Sequence, residues 1–299
     1  MFRSSTWMAT VLLALPWLVG APQVHAAVAF ESPPLWNKAV FRASKFGFSL
    51  DAILSIGAAG AVQRLIAWPD GYEGEAVQAA DQDLIELIVR RNGLGRDTHT
   101  ALVLDRGNAA AIQRVRLESG RHRHFKTTRF GTEGISVVRR KPLRGEERLA
   151  PETWGDVKEK FKPYPAGSTE VEVITDPLAL FYVLASADLG GPSNGFRLLV
   201  FIDGYVMNFK VKVAGYEEVQ ADYYTGGERR VERVRALRVK IDMTHNGGAI
   251  DDEEIRVLGM KGDFEVFLDS DRRVPLLIRG RVPYLGRVDV RLRELIPRV

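Results

Sequence analysis

The sequence predicts an all-β-dominated protein: a large curled antiparallel sheet (open barrel, half-barrel or β-spiral) with one or two short helices. Three observations lead there. Short runs alternate apolar and polar residues with period two, the mark of antiparallel strands with one wet face. Turn signals separate them, among them PDG (69–71), RNG (91–93), SNG (193–195), IDG (202–204), HNGG (245–248) and KGD (261–263). So many strands in one chain also leave edges, which full or partial closure protects.

Taken in order, the first group of strands falls at 39–46, 48–56, 61–68, 101–106, 112–119, 125–130 and 135–140. A second group falls at 170–175, 196–204, 206–219, 234–243, 254–259, 263–269, 275–282 and 287–295. The last is the cleanest: Val288, Val290 and Leu292 alternate with Arg287, Asp289, Arg291 and Arg293. Residues 79–90 read equally as a short helix or a strand, and glycine recurs at no fixed period, so no internal repeat is seen.

Two stretches interrupt the alternation. Residues 141–167 are polar and marked by proline, an insert with at most a short helix around 152–161. Residues 176–189 predict a helix of about three turns. Thr175 or Asp176 can cap it, Pro177 suits its first position, and Leu178, Phe181, Tyr182 and Ala185 share a face. Such a helix can plug or cover the open side of the sheet.

Residues 1–26 have the form of a secretory signal peptide: Arg3, then an apolar stretch from Trp7 to Val19, then Val24-His25-Ala26 before a cut. That stretch is short for a membrane span, and no second apolar run is long enough to cross as a helix. Cleavage leaves about 273 residues, read as a single curled antiparallel β domain over 27–299. The chain has no cysteine, which excludes a disulfide framework, a thiol nucleophile and an iron–sulfur site. A bacterial periplasm suits this combination. The net charge of +4 falls to +3 without Arg3, with acidic and basic residues nearly balanced. Neither the balance nor the export signal points to nucleic acid.

Asp269 and Asp271 sit two apart in DSDRRVP, a segment suited to a turn in which Asp accepts backbone N–H bonds and Arg272 and Arg273 neutralise it. A general acid and base need a defined spacing across a cleft, which this pair does not offer. The acidic run 251–254 lacks the spaced ligands of a calcium loop. His122 and His124 alternate on a strand, but Arg121, Arg123 and Lys126 surround them with positive charge. No G-x-S-x-G, H-E-x-x-H, G-x-G-x-x-G or phosphate-binding loop occurs. The reading is therefore no catalytic, cofactor or metal residue, and no enzyme. Basic residues nevertheless recur in alternation, at Arg114 and Arg116, Arg139 to Lys141, Arg279 and Arg281, and Arg287, Arg291 and Arg293. Two readings stay open: a wet sheet face whose arginine stems cover apolar edges, or a patch that attracts envelope polyanions.

The segments DPLALFYVLASADL (176–189), FIDGYVMNFKVKVAGYEEV (201–219) and FLDSDRRVPLLIRGRVPYLGRVDVRLREL (267–295) together resemble the C-terminal half of the DUF3108 family of bacterial exported proteins. The matching positions are Asp176, Pro177, Leu178 and Tyr182; Asp203 and Gly204; Gly215 and Glu217; Asp269, Asp271, Arg272, Arg273 and Pro275; and Gly286, Leu292 and Leu295. The resemblance covers about 120 residues, whereas the N-terminal half lacks the family's tyrosine-containing first strand and the 141–167 insert is individual. It implies a curled antiparallel sheet and an exported envelope protein, and it supplies no activity. Asp176, Tyr182, Asp203, Glu217, Asp269, Asp271, Arg272 and Arg273 become the candidate structural or ligand-contact residues.

The expected function is a non-enzymatic periplasmic protein that binds an amphipathic envelope component (a lipid or lipopolysaccharide) or an envelope protein in its concavity. The alternatives are an envelope structural or assembly factor whose concavity is filled by its own helix, and an envelope glycan hydrolase. A carrier requires a partly vacant apolar interior lined by residues such as Phe201, Phe209 and Phe267; an assembly factor requires a packed one.

Overall fold

The computed structural model describes Phe30, 33–45, 48–59, 65–92, 96–120, 123–165, 173–192, 194–202, 204–245, 256–257, 259–283 and 285–298. The expected signal segment, Asp203, His122 and the acidic run 251–254 lie outside these residues. The fold is an almost all-β one, with one long curled antiparallel sheet and one short helix among the described residues.

The chain makes two meanders. The first is β1 (Trp36–Lys45), β2 (Phe48–Ala58), β3 (Gln82–Asn92), β4 (Arg96–Asp105), β5 (Ala111–Glu118), β6 (His124–Phe130), β7 (Gly134–Lys141) and β8 (Asp156–Pro163). Each pairs with the next, so sheet order follows chain order. The short strand β9 (Ile174–Thr175) and the helix α1 (Ala179–Ser186) then cross to the second meander. This comprises β10 (Gly195–Ile202), β11 (Tyr205–Thr225), β12 (Glu228–His245), β13 (Arg256–Val257), β14 (Met260–Asp269), β15 (Pro275–Val282) and β16 (Gly286–Pro297). The first and last strands join the halves antiparallel, with Phe41 opposite Leu292 and Arg42 opposite Arg291.

Two contacts curl this sheet. The β11–β12 hairpin outruns β14, whose pairing with β12 ends at Ala236, and its tip returns to β16, where Tyr224 and Thr225 pair parallel with Glu294 and Leu295. Strands β11, β12, β14, β15 and β16 thus form a closed ring. At the far end of the first meander, the Tyr164 ring meets Phe201 of β10 edge-on at 6.2 Å. Strand β8 remains an edge, and its exposed Lys158, Glu159 and Lys160 oppose pairing with another chain.

The alternation read at β16 is realised: Val288, Val290 and Leu292 are buried while Arg287 and Arg293 are exposed. Elsewhere the structure decides between readings or corrects them. Of the helix and strand readings of 79–90 the strand is realised: residues 82–92 form β3, paired on both sides by β2 and β4, so the sheet supplies the hydrogen bonds a helix would have made internally. No α-helix forms at 152–161, most of which is strand β8. A single tight turn at Pro151–Thr153 precedes β8, where Phe161 packs edge-on against Trp68. Of the run expected as a strand at 61–68, residues 65–68 are irregular. There the Ile66 N–H donates to the Gln113 side chain at 2.7 Å, and Trp68 lies over Gly131, where any Cβ would stand 2.3 Å from the indole.

Candidate functional site

Two groupings of side chains stand out: a plug inside the curl and a basic groove on the sheet. The plug is α1. The chain turns at Asp176 and Pro177, with the Ala179 N–H donating to the Asp176 carbonyl, and becomes helical only at Ala179. It leaves the helix at Ala187, which is extended and bridges Phe30. The result is two turns rather than three, and all eight residues are buried rather than one face. A helix apolar all round belongs in a core. Phe201, Phe209 and Phe267 are buried in the same cluster as Leu180, Phe181 and Leu184.

Polar groups anchor this helix at three levels. Before its first turn, the buried Asp176 carboxylate accepts from Leu178 N–H at 3.0 Å and from the Arg114 guanidinium of β5 at 2.6 Å. In the middle, the Tyr182 hydroxyl donates to Asp83 of β3 at 3.0 Å, and Asp83 also holds Arg106 at 2.9 Å. Burial first, and then the Asp83 charge, push the Tyr182 phenol well above its ordinary range. At the far end the Arg273 guanidinium donates to the Ala187 carbonyl, with Asp188 at 4.0 Å. An acid before the N-terminus and a cation after the C-terminus both suit the helix dipole.

Arg273 takes this position from a left-handed backbone, φ 50°, unusual for a residue with a Cβ. The turn around it is built by Asp269, whose Oδ1 accepts from the N–H groups of Asp271 and Arg272 at 2.9 and 3.0 Å. Arg272 donates to the Tyr223 hydroxyl at 2.8 Å, tying the turn to the curled hairpin. The Asp271 carboxylate accepts from the Ser270 hydroxyl at 3.2 Å. Six of the eight candidate residues therefore lie on the plug or its anchoring turn: Asp176, Tyr182, Asp269, Asp271, Arg272 and Arg273.

Glu217 belongs to the second grouping. It meets Arg238 at 3.3 Å and Arg279 at 3.7 Å. The groove there has a volume of about 690 Å³ and runs along β1, β15 and β16. Arg42, Lys45, Arg279, Arg287, Arg291 and Arg293 line it, with Asp289 as the acidic lining residue. Arg42 and Lys45 give no signal in the sequence, because scattered basic residues on a half-polar strand look like any solvent-facing ones. Asp83, Arg106 and Arg114, which anchor the helix, are equally silent as a set. Among the described residues no group of three or more His, Asp or Glu side chains is placed to hold a metal, and no helix is long and apolar enough to cross a membrane.

No family model matches the chain, and no curated protein matches it. Among solved structures it is similar to the crystal structure of a beta-barrel-like protein of domain of unknown function DUF1849 from Brucella abortus. The identity is 9%, the alignment covers 90% of this chain and 100% of that one, and the TM-score is 0.46.

Proposed function

We propose that this chain is a non-catalytic cell-envelope protein of the periplasm, a member of the DUF3108 group, that acts as a structural or assembly factor through its sheet surface. The signal-like segment 1–26 and the resemblance over the last 120 residues support the location. The observation that carries the role is the helix plug. All eight residues of α1 are buried, and the phenylalanines expected to line a carrier's cavity pack in its core. Among the described residues, the interior side chains of the curl contact each other, so an acyl chain would have to displace Phe181, Leu184 or their neighbours. Displacing a packed aromatic forfeits about 3 kcal/mol or more.

Native mass spectrometry of the mature protein purified from its own periplasm, followed by organic extraction, tests this reading. A protein carrying no extractable amphiphile is expected. A stoichiometric lipid would replace it with the carrier reading, in which α1 swings aside for a guest.

A further inference from the structure

We infer that the groove along β1, β15 and β16 is a binding site for a ligand carrying two or more phosphate groups. The inference rests on the proposed function insofar as it takes the sheet surface, not the interior, as the place where binding occurs. Its first support is the charge. Six cations line the groove against Asp289 alone. The remaining carboxylates approach from outside that lining: Asp51 reaches Arg42 at 2.6 Å, while Glu265, Asp222 and Glu217 stand 3.8, 3.7 and 3.7 Å from Arg287, Arg293 and Arg279, beyond hydrogen-bond reach. Asp289 is divided between Arg279 and Arg291, at 3.0 Å from each.

The second support comes from the strand register and is independent of the groove's outline. Arg42 of β1 stands directly opposite Arg291 of β16, and on the other side of β16 Arg287 stands directly opposite Arg281 of β15. Arg281 is in turn opposite Lys261 of β14. Directly opposed residues point to one face with their Cβ atoms about 5 Å apart, and like charges so placed destabilise a sheet. An arginine face that served only to be wet would do as well with such pairs broken by glutamine or acid. An anion seated between opposed guanidinium groups turns the repulsion into attraction.

The geometry also selects the anion. Guanidinium groups offer planar pairs of donors that match phosphate oxygens. Residues 287 to 293 of β16 span roughly 20 Å at strand rise, longer than one phosphate group can bridge. The cations at its two ends therefore call for a ligand with several anionic groups. Two sources share that chemistry: the head groups of an anionic phospholipid surface and a soluble polyphosphorylated compound.

The experiment uses the mature full chain, with pyrophosphate and phosphatidylglycerol vesicles as probes and phosphatidylcholine vesicles as the neutral reference. Pyrophosphate is expected to raise the thermal midpoint saturably, with an affinity that falls as salt is added. The double variant R287Q/R291Q should lose at least tenfold in affinity while its own ligand-free midpoint stays at or above that of the parent, because two like-charge pairs, Arg287 with Arg281 and Arg291 with Arg42, have been relieved. The charge-matched control K158Q/K160Q, on the distant strand β8, should bind as the parent does. Binding to phosphatidylglycerol vesicles that pyrophosphate competes away assigns the lipid source; pyrophosphate binding without vesicle binding assigns a soluble one. Absence of binding to either probe at low salt overturns the inference, and so does an equal loss in both variants, which would mean that net charge alone is at work. An amphiphile extracted from the interior would defeat the proposed function while leaving these readouts unchanged, so the two failures are distinguishable.

Discussion

Arg114 and Arg287 are the same side chain in opposite settings. Arg114 has 12% of its side chain exposed and clamps a carboxylate that is 2% exposed; Arg287 is 66% exposed and stands 3.8 Å from its acid. Around the plug the buried carboxylates of Asp83 and Asp176 have short, directed partners, because an uncompensated charge away from water is expensive. Along the groove water and salt screen each pair, so cations can crowd together at little cost to the fold. Charge buried with α1 is therefore architecture, whereas charge concentrated on β1 and β16 is free to serve recognition.

That contrast can be broken, and the sharpest attempt is Arg114→Ala. It leaves Asp176 buried without its cation, and a loss of about 3–5 kcal/mol is expected in denaturant unfolding. A loss below about 1 kcal/mol, in the range of exposed pairs, would erase the distinction between the two regions. Asp269→Ala comes next. Its carboxylate accepts two backbone N–H groups in the turn that aims Arg273 at the helix, so about 1–3 kcal/mol should go, read from the same unfolding curves.

Tyr182→Phe removes one hydroxyl and should lower stability by about 1–2 kcal/mol at neutral pH. Its pH dependence sharpens the point. The folded phenol titrates above the unfolded one, whose pKa is about 10. Below that value both states are protonated and the contribution is whole. As pH rises past it the unfolded chain releases its proton first, so stability falls until the folded phenol titrates as well. Tyr164, also raised by burial, adds to the same alkaline decline. Unfolding curves between pH 9 and 11 should show a shallower decline in Tyr182→Phe than in the parent.

The smallest effect belongs to the groove. Arg287→Gln should shift stability by no more than about 0.5 kcal/mol, the ordinary range for an exposed position. A loss of several kcal/mol from this one change would place the groove with the plug as a structural element.

Part of this is legible in the sequence alone. Position 182 and the turn at 269–273 drew notice as sequence, the first by its place on a helix and the second by its turn chemistry. Asp83 and Arg42 drew none, since a single charged residue in a strand looks like any solvent-facing one. The stretch at 79–90 shows why local reading fails: its apolar residues suit either period, and only the strands beside it decide between them.

The sequence alone determined what depends on neighbours along the chain. Period two in 287–293 set which side of β16 is dry, and the absence of cysteine removed disulfides from the fold. The tertiary structure decided what depends on closure. It set the first strand beside the last, brought the β11–β12 tip back to β16, and joined Tyr182 to an aspartate 99 residues away. The physical reason is that side-chain alternation is local and repeats identically in every strand. Register between distant strands is fixed only when the helix, the hairpin and both meanders compete for the same buried volume.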